Sequence, residues 1–140
     1  MTVNDILTAF AVKLTELYPD RLVYVDEIPA GADGNFLVRC IEQSHQKGLG
    51  RRRVRVYQFE VLYFVAPKDS MAYNDWAETM YWAFEDLAVG QEVVHLSGAA
   101  ANDTGDMVYH FVVDAQVYNT MAVDRSDEME GLDQNTEAIT

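Results

Sequence analysis

From Val54 to Val65 the chain alternates, with Tyr57, Phe59, Val61, Tyr63 and Val65 on one side of an extended backbone and Gln58 and Glu60 on the other. A period of two over that length excludes a helix, whose same-face positions lie three and four residues apart. It predicts a long strand with one buried face, stopped by Pro67, and such a strand needs neighbours in a sheet. The nearest neighbour is upstream. Phe36 to Glu42 sets Phe36, Val38 and Cys40 against Leu37, Arg39 and Ile41, so both faces are partly apolar, as in a strand inside a sheet. Lys47-Gly48-Leu49-Gly50 lies between the two runs and predicts a hairpin turn.

The remaining elements follow from changes of period. Val3, Ile6, Leu7, Phe10, Leu14 and Leu17 recur at helical spacing, with Thr2 or Asn4 as cap candidates and Pro19 as the stop. Leu22 to Val25 is a short β-rich run before Asp26-Glu27, Pro29 and a Gly-containing loop. Tyr73, Trp76, Met80, Phe84 and Leu87 predict a second amphipathic helix, capped by Ser70 or Asn74 and ended by Gly90. Glu92 to Ser97 reads as a short strand, and Met107 to Tyr118 as a longer one. The small residues Gly98 to Gly105 between them read as a mobile loop. The expectation is an α+β fold: a mixed, mainly antiparallel sheet packed against two helices, in the order α-β-β-β-α-β-β. Residues 1–122 are expected to form one domain and 123–140 a flexible acidic tail, because the latter combine high charge with few large apolar groups.

Composition narrows the function. The 140 residues are enough to bury a core without disulfides or metals, and no apolar run approaches the roughly 20 residues needed to cross a bilayer. The N-terminus lacks the order of a secretory signal and Cys40 is the single cysteine, so folding in a reducing cytoplasm is the expectation. The formal charge of −13 opposes binding to nucleic acid or anionic membrane, because phosphate affinity comes from Lys and Arg. Of the ten basic residues, four cluster at Arg51, Arg52, Arg53 and Arg55.

No catalytic or metal constellation stands out. His45, His95 and His110 are scattered without zinc spacing, and Cys40 lies mid-strand, where a cysteine behaves as a small hydrophobe. Gly48-Leu49-Gly50-Arg51-Arg52-Arg53 superficially suggests a phosphate cradle. It lacks the Gly-Lys-Ser/Thr ending and leads into a strand, whereas phosphate loops lead into helices. The acidic tail lacks the residue order of a calcium loop. Neither an enzyme nor a cofactor is therefore expected. The candidate site is an interface: Lys47, Gly48, Leu49, Gly50, Arg51, Arg52, Arg53 and Arg55, a positive hairpin tip suited to an acidic partner surface. A strand regular from its first residue would place Arg51 and Arg53 on the same side.

The run from Gln46 to Phe64, in which Leu49-Gly50-Arg51-Arg52 leads into Tyr57-Gln58-Phe59-Glu60-Val61-Leu62-Tyr63-Phe64, resembles the hairpin of phage and prophage tail terminator proteins. The flanks are similar too: an opening helix with Ile6 and Leu14, a strand with Tyr24 followed by Glu27, and a helix after Pro67. The resemblance spans residues 3–118, thins beyond Ala88 and stops before the tail. It implies a sheet on two helices, and a homo-oligomeric ring of six subunits seated on the last disc of the tail tube. Such a ring ends tube growth and offers its other face to the head connector, with genome DNA passing through the channel without specific binding. The implied localisation is the virion tail, assembled in the host cytoplasm, without membrane contact. A ring of this kind needs two different complementary patches. The arginine hairpin against Asp26-Glu27 or Asp103 and Asp106 of the next copy is one such pairing. Three alternatives remain open: another head-tail connector or completion protein, a single-stranded nucleic-acid module using the arginines with Tyr57, and a small hydrolase or isomerase whose site carries no recognisable motif.

Overall fold

The structure, a computed structural model, describes residues 1–26, 34–65, 69–103 and 107–120. The expected acidic tail, Glu27 and the segment 104–106 lie outside the described residues. Its elements are α1 (Val3–Leu17), β1 (Val23–Tyr24), β2 (Phe36–Lys47), β3 (Arg52–Phe64), α2 (Ser70–Ala83), β4 (Asp86–Val89), β5 (Glu92–Asp103) and β6 (Val108–Thr120). The strands form one sheet in the order β1-β2-β3-β6-β5-β4, with β1 parallel to β2 and β4-β5-β6 antiparallel. This is the expected mixed α+β fold with one strand more. The described residues cluster into two compact units, 1–44 with 56–117, and 45–55 with 118–120.

In the first unit both helices pack on one face of the sheet. Ile6, Phe10 and Leu14 of α1 and Trp76, Ala77 and Met80 of α2 are buried, as their spacing requires. They meet Phe36, Val38, Tyr57, Phe59, Val61, Tyr109, Phe111, Val113 and Ala115 of the strands. The contact is aromatic: Phe10 lies 5.0 Å from Phe59 and 5.1 Å from Phe84, and Trp76 lies 5.6 Å from Tyr63 and 6.0 Å from Tyr109. Thr2 caps α1 in a reciprocal box with Asp5, and Asp69 caps α2 by accepting from the amides of Met71 and Ala72.

Four sequence-based expectations are corrected, the first being the cap of α2, which is Asp69 and not Ser70 or Asn74. The second helix ends at Ala83, not at Gly90: the Phe84 amide closes the last turn on Met80 O, and Leu87 enters β4. Leu87 keeps helical spacing to Phe84 because both point into the same core. The following Val89, Val93 and Val94, astride a turn at Gly90, favour a hairpin. The small-residue stretch 98–103 is strand, not loop. Ala100, Ala101, Asn102 and Asp103 pair with Val112, Phe111, His110 and Tyr109, after a bulge between Ser97 and Ala100. Gly98 makes that bulge with φ 65°. Finally, β6 starts at Val108, and Met107 stands outside it, half-exposed.

Candidate interaction site

The second unit holds the arginine hairpin. Strands β2 and β3 run on past the buried residues, and from Ile41 to Gly50 every residue is exposed. The turn is closed by Gly48 N donating to Arg52 O at 2.9 Å and Arg52 N donating to Leu49 O at 3.1 Å. Gly50 sits at φ 60° with no atom near the position of a Cβ, so glycine is needed there for its backbone and not for space. Leu49 is 90% exposed at the tip.

The arginines divide into two kinds. Arg53 Nη1 donates back to Gly50 O at 3.1 Å and Arg52 O at 2.8 Å, bracing the turn. Arg55 Nε donates to His45 Nδ1 at 2.9 Å across the hairpin. Arg51 and Arg52 are exposed. Arg51 belongs to the turn and β3 begins at Arg52, so the expected pairing of Arg51 with Arg53 on one strand face does not hold. Turn closure consumes the residue that the alternation would have counted.

Within the first unit, Glu60 is a feature that alternation misassigned. It falls on the side away from the helices, as its parity requires, yet is only 8% exposed. Its Oε1 accepts from Arg39 Nε at 3.0 Å and Nη2 at 2.7 Å, and its Oε2 lies 2.9 Å from His110 Nδ1. One carboxylate thus ties β2, β3 and β6 together. Burial alone would raise its pKa, but the hydrogen bonds from His110 and Arg39 outweigh it and hold the carboxyl below its ordinary value. Only the register of three strands reveals this contact, and sequence alternation carries no register.

The other candidate chemistry does not converge. Cys40 Sγ donates to Glu42 O at 3.3 Å, and burial pushes its thiol up, away from the reactive thiolate. His45, His95 and His110 contact Arg55, Asp86 and Glu60 respectively. Among the described residues no group of three His, Cys, Asp or Glu side chains could hold a metal ion. An open cleft of about 410 Å³ beside α1 is lined by Asp5, Thr8, Gly90 and Glu92 among others. Asp26, one of the expected acidic counterparts, is exposed, and Asp103 ends β5 part-buried. Among the described residues no helix is long and apolar enough to cross a membrane.

On the outward side of α2, Met71, Asp75, Glu78 and Trp82 succeed one another at helical intervals and are all exposed. Trp82 Nε1 donates to Glu78 Oε2 at 2.7 Å. Trp82 stands off the Trp76–Met80 core spacing, and that offset was the available sequence signal.

A family model described as a phage tail terminator protein matches residues 5–128. A solved structure 15% identical in sequence covers 89% of this chain and 99% of its own with a TM-score of 0.48. No curated protein matches the chain.

Proposed function

We propose, because the chain belongs to the phage tail terminator family and so is a structural component of the virion tail, that it caps the tail tube as a homo-oligomeric ring. The ring, a hexamer, stops tube polymerisation and forms the head-proximal face of the tail, where the connector docks. The observation that supports this reading most, beyond the family itself, is the exposed hairpin. It carries Arg51, Arg52, Arg53 and Arg55 in a chain of net charge −13, and folding alone does not call for such a cluster. A positive tip on an acidic subunit suits contact with acidic surface on a neighbour or on the tube. Lys47, Gly48, Leu49 and Gly50 belong to the same contact as the turn that presents the arginines. Acidic subunits around a channel repel DNA phosphates, so the genome passes without sticking.

The test is to polymerise tail-tube protein with and without the purified chain, and to examine tube lengths and ends by electron microscopy. Capped, shortened tubes bearing a ring at one end are expected. Reversing Arg51 and Arg52 to Glu should leave the fold intact, since exposed ion pairs contribute only about 0–1 kcal/mol, and should abolish capping. Tubes that grow unaffected by the wild-type chain would overturn the reading. A ring that binds isolated connector and never tube would make the chain a joining piece instead. Salt-sensitive binding to single-stranded oligonucleotides would favour a nucleic-acid module.

A further inference from the structure

The ridge of α2 has the chemistry of an arginine receptor. In residues 69–86 there are five acidic side chains, Asp69, Asp75, Glu78, Glu85 and Asp86, and no Lys or Arg. Asp69 is engaged as the α2 cap, and Asp86 pairs with His95. Asp75 and Glu78 lie on the exposed ridge, flanked by Met71 at 75% and Trp82 at 68% exposure. The 2.7 Å hydrogen bond from Trp82 to Glu78 holds an indole and a carboxylate side by side. That pair offers a guanidinium both a π face to stack on and an oxygen to bond, a combination arginine exploits far better than lysine. Met71 and Trp82, exposed at the two ends of the ridge and roughly 16 Å apart along the helix axis, are also surface that gains from being covered.

We propose that this ridge, Met71, Asp75, Glu78 and Trp82, receives the hairpin tip of a second copy of the chain. Arg51 and Arg52 meet the carboxylates and the indole, and Leu49 meets Met71. The proposal rests on the ring reading above and supplies what that reading leaves open, the acidic counterpart of the hairpin. Charge selects the occupant. Five of the chain's ten basic residues, Lys47, Arg51, Arg52, Arg53 and Arg55, lie in this hairpin, and its tip also presents an apolar side chain to match the apolar end of the ridge. Two different patches, each present once per subunit, form the heterologous contact that a closed ring requires. A hairpin tip covers less than the roughly 800 Å² per partner of a stable interface. It is therefore the charged anchor of a larger contact, of the Trp–Arg type that dominates binding energy.

The experiment uses the full chain with tail tubes present and compares three samples by sedimentation, with melts as fold controls. They are wild type, a hairpin-reversed variant (Arg51→Glu, Arg52→Glu) and a ridge-reversed variant (Asp75→Arg, Glu78→Arg). Each variant alone should lose at least about tenfold in assembly affinity, because like charges then face one another. An equimolar mixture of the two variants should recover it. In an alternating ring every hairpin then meets a ridge of opposite sign, and an even number of subunits lets the ring close. Acrylamide quenching provides a second readout. Of the two tryptophans Trp76 is buried, so the quenchable emission belongs to Trp82 and should fall on assembly. A ridge-reversed variant that assembles and caps like wild type would overturn the ridge proposal and leave the ring reading standing. A wild type that neither assembles nor binds tubes would overturn both. Variants that both fail to assemble, and are not rescued by mixing, would show that the two patches do not meet.

Discussion

Phe84→Ala isolates what holds the helices to the sheet. Phe84 follows the last residue of α2, is 1% exposed, stacks on Phe10 at 5.1 Å with planes 16° apart, and meets Phe111 at 6.0 Å. The Lys13 ammonium stands 5.3 Å from its ring centroid. One side chain therefore links α1, the end of α2 and β6. Returning roughly 100 Å² of that ring's burial costs about 2.5 kcal/mol at ~25 cal/mol per Å². The vacated space adds more, because Phe10 and Phe111 are held by separate elements and collapse only in part, giving about 3–5 kcal/mol in total. Against a domain stability of about 5–15 kcal/mol that is a large fraction, and it should lower the melting temperature by roughly 10–20 °C.

A thermal melt followed by circular dichroism measures it, with Phe84→Leu and Val12→Ala as references. Leucine keeps most of the volume and should cost under about 1.5 kcal/mol. Val12 is half-exposed on α1, and its loss should stay within about 0.5 kcal/mol. A Phe84→Ala protein melting within about 3 °C of wild type would refute the packing argument, since no smaller estimate follows from a ring so enclosed.

Three further outcomes follow from single contacts. Glu60 has its pKa lowered on folding, so its stabilisation is fully present above about pH 4.5 and is lost as the pH falls through the lower folded-state value; Glu60→Gln should flatten the decline of melting temperature with acid, and parallel curves would show that the Arg39–Glu60–His110 contact is not linked to folding. Asp69→Ala should cost about 1 kcal/mol in a urea melt by removing the cap of α2, whereas Asp69→Asn should cost little, and equal losses would point to the charge instead. Gly98→Ala places a Cβ 3.0 Å from Asp114 Oδ2 at φ 65°, and should cost at least about 1–2 kcal/mol; an unchanged melt would mean that the bulge relaxes.

Much of this fold was legible because two periods coexist in one chain. The two-residue period of β3 and the three- to four-residue period of α1 each name a buried face, and Phe59 meets Phe10 as those faces require. Legibility failed where local preference and tertiary pairing disagree. Ala100-Ala101-Asn102 has poor strand propensity, yet it pairs with β6 and sets Ala101 opposite Phe111, where a small side chain fits beside an aromatic ring. Leu87 satisfied a helical spacing by coincidence, because a strand arriving from the helix end feeds the same core. The arginine hairpin was visible as a cluster and a turn. Which of its arginines face outward was not, since that depends on carbonyls exposed by the turn's own geometry.

That division of the arginines yields a prediction about how the hairpin is made ready to bind. An exposed two-stranded hairpin is at most marginally stable by itself, and ordering it on contact would subtract from affinity. Arg53 reduces that penalty by bonding Gly50 O and Arg52 O with one nitrogen. Lysine at the same place keeps the charge but brings a single ammonium on a flexible stem in place of a rigid fork. Arg53→Lys should therefore loosen the turn at constant net charge, while Arg51→Ala should remove a charge and leave the turn intact. Bonds so exposed contribute about 0.5–1 kcal/mol, which corresponds to roughly two- to fivefold faster local opening. Amide hydrogen exchange at Gly48 and Arg52, whose N–H groups close the turn, reads that rate directly. Faster exchange in Arg53→Lys with wild-type exchange in Arg51→Ala is the expected pattern. The opposite pattern would mean that Arg53 acts through charge, and that the hairpin's order comes from the turn backbone and the ladder between β2 and β3 alone.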